Sequence, residues 1–308
     1  MIVFLTAWLG SLPGFMTPLL LASLGLLLCE RAGVLNLGVE GVMAVAAMTG
    51  AAACLSGLAP GLSLVLAAGA AVAITLPYII AVVVFRAAQI PAGLALVAIG
   101  LGTSMVLGRD FAHRPFRGLA DLPFPGPLKE WPLVGRMLFQ QDAVVYLALA
   151  AAALLAWMLH RTRTGLALRA TGEDPATADS AGVDVQAVQC VALVAGSTLI
   201  GLAGGYLALG SAQIWTEGMV AGRGWIALAL VVFVQWSPLR AIAGAALFGG
   251  AQALIPRLQA LGLDVPIYVL AMMPYVLTIA VLVAASRRAR TRQQEPGFLG
   301  RAYIRQDR

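Results

Sequence analysis

Apolar runs of membrane-spanning length, separated by short polar breaks, occupy almost the whole chain. A short apolar lead ends near Pro13, and the first run covers about Thr17–Cys29, closed by Glu30 and Arg31. Further runs are read at Asn36–Leu55, Leu62–Phe85 with Pro77 as a kink, Ala92–Leu107, Ala143–Leu159, Val188–Leu209, Trp225–Trp236, Ala241–Ile255 and Ile267–Ala285. A helix needs about 20 residues to cross the hydrocarbon core, so these runs predict transmembrane helices. Trp225–Trp236 is too short for that and predicts one arm of a broken or re-entrant helix. The alternation of a membrane β-barrel is absent. The expected fold is therefore an all-α polytopic bundle of about 8–10 transmembrane helices, one transmembrane domain over residues 1–308.

Two breaks are long. Residues 109–141 hold prolines at 115, 123, 125, 127 and 132 among aromatics, which predicts an ordered loop rather than a domain. Residues 161–187 are polar, and their middle follows the grammar of a short helix. Asp174 stands as N-cap, Pro175 at the first helical position and Gly182 just past the end. Two helical turns are marginal alone in water. The segment is therefore expected to be held against either the rest of this chain or a soluble partner, and the apolar Leu166 and Leu168, which a merely solvated loop would not need, favour docking with a soluble protein.

Composition agrees with the pattern: of 308 residues, 60% are hydrophobic and 11% charged, with mean hydropathy +0.90. The pI near 9.7 raises nucleic acid as a partner, but the basic residues sit at span ends and in the tail, as the positive-inside rule requires. Seven arginines follow Ala285 and three lie in the 161–187 segment, so both are assigned to the cytoplasm, the tail as residues 286–308. Four runs separate them, an even number, and the 109–141 loop then falls outside, although it carries Arg109, Arg114, Arg117, Lys129 and Arg136. No Lys or Arg precedes Arg31, which argues against a cleaved signal peptide. Cys29, Cys54 and Cys190 lack metal or redox spacing and read as small apolar residues.

Few residues invite chemistry. No GxxxxGK[ST] exists, and Lys129 is the only lysine, so ATP hydrolysis by this chain through such a site is excluded. Gly222–Ala227 matches a degenerate GxGxxA, but without a preceding strand it reads as small residues opening a membrane helix. Glu40 lies inside an apolar run, where a charge is expensive. It is read either as an interfacial group paired with Arg31 or a backbone group, or as part of a transport path. Glu217 and Arg223 bracket the short run and read as an ion pair or a substrate contact. Gly201 and Gly205 form a GxxxG suited to close helix packing.

Three separated blocks carry a resemblance: Glu30–Gly41 (ERAGVLNLGVEG), residues 165–185 (GLALRATGEDPATADSAGVDV) and residues 217–250, beginning EGMVAGRGW. Together they resemble bacterial ABC-importer permeases of the simple-sugar and nucleoside branch. The resemblance implies a type II importer fold in the bacterial inner membrane. It also implies a second permease subunit, usually a related chain, two cytoplasmic ATPases and an extracytoplasmic substrate-binding lipoprotein. ATP and Mg would be used by the ATPases, with no cofactor on this chain. By similarity, the helix at Pro175 to Ala181 resembles the coupling helix, and Gly165, Leu166, Arg169, Gly172, Glu173, Asp174, Pro175, Ala178 and Gly182 are the expected ATPase-coupling residues; Asn36, Glu40, Glu217 and Arg223 are candidates for the substrate path. The forms of the motifs are most similar to nucleoside-type members, with a simple sugar as the alternative. A secondary transporter would need ion-coupling carboxylates in two repeated halves, and only Glu40 offers one. A membrane enzyme would need a catalytic constellation that the chain lacks.

Overall fold

The computed structural model describes residues 2–123, 134–260, 272–273, 275–280, 283 and 295–303. Among them there is no strand, only two isolated bridges. Among the described residues, six helices are long and apolar enough to cross a membrane, and two shorter apolar ones accompany them. The expected last run, Ile267–Ala285, lies mostly outside the described residues, as do residues 124–133 of the long loop.

Helix α1 (Ile2–Arg31) is the axis of the bundle, its apolar residues from Leu19 to Cys29 almost wholly enclosed. It corrects the expected run, which began only at Thr17. Pro13 and Pro18 interrupt neither end, because each removes a single backbone bond and the Thr17 hydroxyl donates to the carbonyl of Pro13 at 2.8 Å. At 1.5 Å per residue, α1 spans about 45 Å, more than the hydrocarbon core requires.

Helix α2 (Val39–Leu55) packs against both α3 (Pro60–Ile79) and α4 (Gln89–Gly108), and this group meets α1 through the later span over Val185–Tyr206. Below Pro77, α3 widens into a π turn at Ile80–Val84, a distortion in place of a sharp kink. The loop after α4 pairs with the chain near residue 213: His113 N–H donates to the Trp215 carbonyl (2.9 Å) and Phe116 N–H to that of Gln213 (3.2 Å). A short helix α5 (Val134–Phe139) leads into α6 (Ala143–Arg161). The expected ordered loop is thus seen in its described parts.

Between α6 and the next span lie two short helices, α7 (Arg163–Glu173) and α8 (Pro175–Ser180). The sequence reading predicted only the second. Helix α9 (Val185–Tyr206) then crosses back and ends in a π turn at Leu207–Ala212. Its Gly201 lies against Ala68 and Ala71 of α3, as the GxxxG pattern predicts. A descending segment reaches α10 (Arg223–Phe233), and α11 (Pro238–Ala260) returns beside α1. Residues 295–303 lie against α7 and the α1–α2 loop, on the same face as the 161–187 segment.

Candidate functional site: a clamped half-helix and a capped platform

Helix α10 has 11 residues, about 16 Å of rise, so it crosses only half of an apolar core of about 30 Å. Gly224 at its start and Val234 and Trp236 at its end are buried, so backbone groups there need partners within the protein. The chain solves this at both ends with the Glu30–Gly41 block.

At the start of α10, Glu40 reaches across from the first turn of α2. Its Oε1 accepts from the Gly222 N–H at 2.7 Å and its Oε2 from the Gly224 N–H at 2.8 Å. Two helix N-termini meet there, and each contributes a partial positive charge that favours a carboxylate. Glu40 is 5% exposed, so the bonds are shielded from solvent. Gly224 is required by this approach: a Cβ there would lie 2.7 Å from Glu40 Oε2 and 2.8 Å from its backbone nitrogen. Gly222 caps the helix in the left-handed region at φ +78. The GxG is therefore a packing device, as read from the sequence.

At the other end, Trp236 closes α10 with its N–H on the Val231 carbonyl, in the left-handed region at φ +52. Its indole Nε1–H donates to Glu30, which is 1% exposed. Arg31 donates to the Trp236 carbonyl through Nε (3.4 Å) and Nη2 (3.1 Å). A cation at a helix C-terminus complements the negative dipole end. Glu30, Arg31 and Trp236 were not among the expected site residues. The signal was present, since the two blocks that carry the resemblance hold both halves of the clamp, but nothing in one sequence says that they touch.

The expected pairings change accordingly. Arg31 serves α10 and not Glu40. Arg223 donates to the carbonyls of Met219 (2.8 Å) and Val220 (3.3 Å) and to Gln252 Oε1 (3.2 Å), so the Glu217–Arg223 ion pair is not formed. Glu217 is exposed. Asn36 is wholly buried, and its Oδ1 accepts from the Gly38 N–H at 3.0 Å, opening α2. Of the four path residues, the structure brings Glu40 and Arg223 to one helix end and leaves Glu217 and Asn36 elsewhere. Above Glu40 lies a cavity of about 190 Å³ bordered by Ser104, Trp215, Thr216 and Met219. The Ser104 hydroxyl is already engaged with the Ala44 carbonyl (3.1 Å).

Removing one partner of the lower clamp is expected to show in stability. Trp236→Phe keeps the ring and loses the indole donor, leaving the Glu30 carboxylate enclosed without it. A loss of about 1–3 kcal/mol is expected, read as a lower melting temperature in detergent. An unchanged melting temperature counts against the clamp.

On the face that residues 295–303 share, Thr162 caps α7 by accepting from the Gly165 N–H at 3.1 Å, and Asp174 caps α8 by accepting from Ala176 (3.0 Å) and Thr177 (3.2 Å). The side-chain bond from Thr177 is the main reason that the Asp174 carboxyl is held below its usual pKa. A depressed folded pKa means that the cap is present at neutral pH and is lost only as pH falls below the ordinary carboxylate range. The residues expected to couple divide by burial. Gly165, Gly172, Pro175 and Ala178 are buried against the chain, as is Leu168, while Leu166, Glu173, Asp174 and Gly182 are exposed. Arg169 is half-buried, its enclosed Nε without a hydrogen-bond partner among the described residues. Leu166, 60% exposed on a polar helix, is the apolar side chain offered outward. Gly172 brings α7 onto the end of α1: a Cβ there would lie 2.3 Å from the Arg31 carbonyl. The platform therefore rests directly on the clamp.

Comparison with known proteins agrees with this architecture. A family model described as the permease component of the branched-chain amino acid transport system matches residues 10–285. TsgC13 of Haloferax volcanii, whose name attributes glucose ABC transport to it, is 37% identical, covering 94% of this chain and 95% of its own. The guanosine ABC transporter permease NupQ of Bacillus subtilis is 32% identical over 94% of this chain and 90% of its own. The nucleoside ABC transporter permease NupC of Lactococcus lactis is 30% identical over 87% and 88%. With the match running through all three sequence blocks, the clamp and the platform, this chain belongs to the ABC transporter permease family of the branched-chain amino acid type, as a multi-pass subunit of the cytoplasmic membrane.

Proposed function

We propose that this chain forms half of the translocation path of an ATP-driven nucleoside importer, with a second, related permease as the other half. One of two ATPases docks on α7 and α8 through Leu166, Glu173, Asp174 and Gly182, the other on the second permease, and an extracytoplasmic binding lipoprotein delivers the substrate. The observation that carries this reading is the capped α7–α8 pair, which exposes Leu166 on one side and rests through Gly172 on the end of α1. A chain without a P-loop has no motor of its own, so ATP hydrolysis belongs to the partner and the chain acts as a transport subunit. In this mechanism ATP-driven closure of the ATPases moves the platform, the end of α1 moves with it, and the clamp shifts α10 between outward and inward arrangements.

The names of NupQ and NupC support nucleosides, as does the form of the motifs. A simple sugar is the second reading, favoured by the name of TsgC13, which is more identical to this chain than either. Uptake of labelled guanosine, adenosine, uridine, ribose and glucose, each measured by itself, separates them. Uptake of glucose or ribose alone selects the sugar, and uptake of none retires both. Mild-detergent extraction is expected to bring a P-loop ATPase with this chain; a chain that purifies alone and transports without ATP is a secondary carrier.

Gly182 gives a finer test of docking. It sits at φ +85 with open space where a Cβ would stand, so Gly182→Ala strains the end of α8 without a clash. The left-handed cost is about 1–2 kcal/mol. Uptake is expected to fall while membrane insertion is kept; wild-type uptake counts against a coupling role for α8.

A further inference from the structure

We propose that residues 295–303 are a positioning element for transport, a strut that ties α7 and α8 to the α1–α2 loop and to the start of α4. This rests on the ATP-driven reading above and adds a second mechanical route to it.

The segment is bonded at every stage of its course. Gly297 N–H donates to Glu173 Oε2 (3.2 Å) and Phe298 N–H to the Gly172 carbonyl (2.9 Å), at the end of α7. Gly300 N–H donates to the Gly33 carbonyl (3.3 Å), in the loop between the two clamp carboxylates. The Arg301 carbonyl accepts from Gln89 Nε2 (3.1 Å), while Gln89 Oε1 accepts from the Leu35 N–H (2.7 Å). The Tyr303 hydroxyl donates to Asp179 on α8 (3.0 Å), and its ring stands edge-on to Phe298 at 6.4 Å. One short stretch thus joins the coupling helices, the signature loop and α4.

A tail needed only for its positive charge has no reason to do this. The positive-inside effect depends on charge near the membrane and not on where the backbone lies. Ordering the segment costs conformational entropy, which these bonds offset. Gly172 connects α7 to α1 directly, but α8 packs on α7 and α9. Tyr303 supplies its route to the signature loop and α4.

The test uses the complete transporter in proteoliposomes, with a chain ending at residue 294 and, as the milder variant, Phe298→Ala with Tyr303→Phe. For both, the ATPases are expected to co-purify and hydrolyse ATP as before, while substrate moved per ATP falls about fivefold or more, the scale of a coupling free energy. Unchanged transport per ATP overturns the strut. A gain in transport also overturns it, since that marks a latch, and so does loss of the ATPases, which marks a docking surface. If only the truncated chain fails to insert, the double substitution decides. Failure of the ATP-driven reading shows separately, as a wild-type complex without ATP-dependent uptake.

Discussion

Replacing Gly224 with alanine is expected to abolish transport and to lower the stability of the detergent-purified chain. The added methyl lies 2.7–2.9 Å from the Oε2, N and Cα atoms of Glu40, two of which are backbone. The first turn of α2 cannot yield without moving α4, against which it packs. Overpacking of this kind costs about 1–3 kcal/mol. Loss of the Gly222 and Gly224 bonds to Glu40 exposes two enclosed N–H groups, each worth about 1–3 kcal/mol more. The measurements are a melting curve and uptake in proteoliposomes. Glu40→Gln is the informative companion: its amide oxygen can accept from one N–H while its NH₂ faces the other, so an intermediate loss is expected. Should Gly224→Ala melt and transport like the parent, Glu40 is not the keystone of the α10 start.

Gly172→Ala is expected to separate ATP hydrolysis from uptake. Its methyl would lie 2.3 Å from the Arg31 carbonyl and 3.1 Å from the Gly33 nitrogen, so α7 must lift off the end of α1. The outward residues Leu166, Glu173 and Asp174 remain on a capped helix pair, and the ATPases are expected to stay bound and active. Motion of the platform then no longer reaches Arg31 and Trp236. A drop in uptake of about fivefold or more, the scale of a coupling free energy, is expected with hydrolysis retained. Leu166→Asp is the complementary change. It leaves the α7–α1 contact intact and puts a charge on the exposed apolar side chain, so ATPase association is what should fall. If Gly172→Ala loses the ATPases and Leu166→Asp keeps them, the assignment of inward and outward faces is reversed.

The two variants also show why the coupling residues could not be sorted in advance. In the sequence, Gly165, Leu166, Gly172 and Glu173 are equivalent members of one polar stretch. Helix α7 turns Gly165 and Gly172 toward the chain and Leu166 outward, and only its placement on α1 and α6 determines which side is which. The same holds for Arg223, whose intended acid partner proved to be a set of carbonyls and Gln252. A charge in an apolar run signals that something must satisfy it. It does not say what.

Local signals determined much by themselves. Length and hydropathy are properties of consecutive residues, so most of the described spans and the shortness of α10 were legible. So was the α8 cap, because Asp174, Pro175 and Gly182 act within a few residues of one another. The long α1 was not, since two prolines read as breaks until the bundle around them holds the helix together. The clamp belongs wholly to the tertiary structure. Glu40 and Gly224 are 184 positions apart, and Glu30 and Trp236 are 206. Each residue alone is an isolated polar group or small residue in an apolar run. Their meaning arises when the bundle buries the two ends of a helix too short to reach water, and the unsatisfied backbone groups there must find partners from another part of the chain.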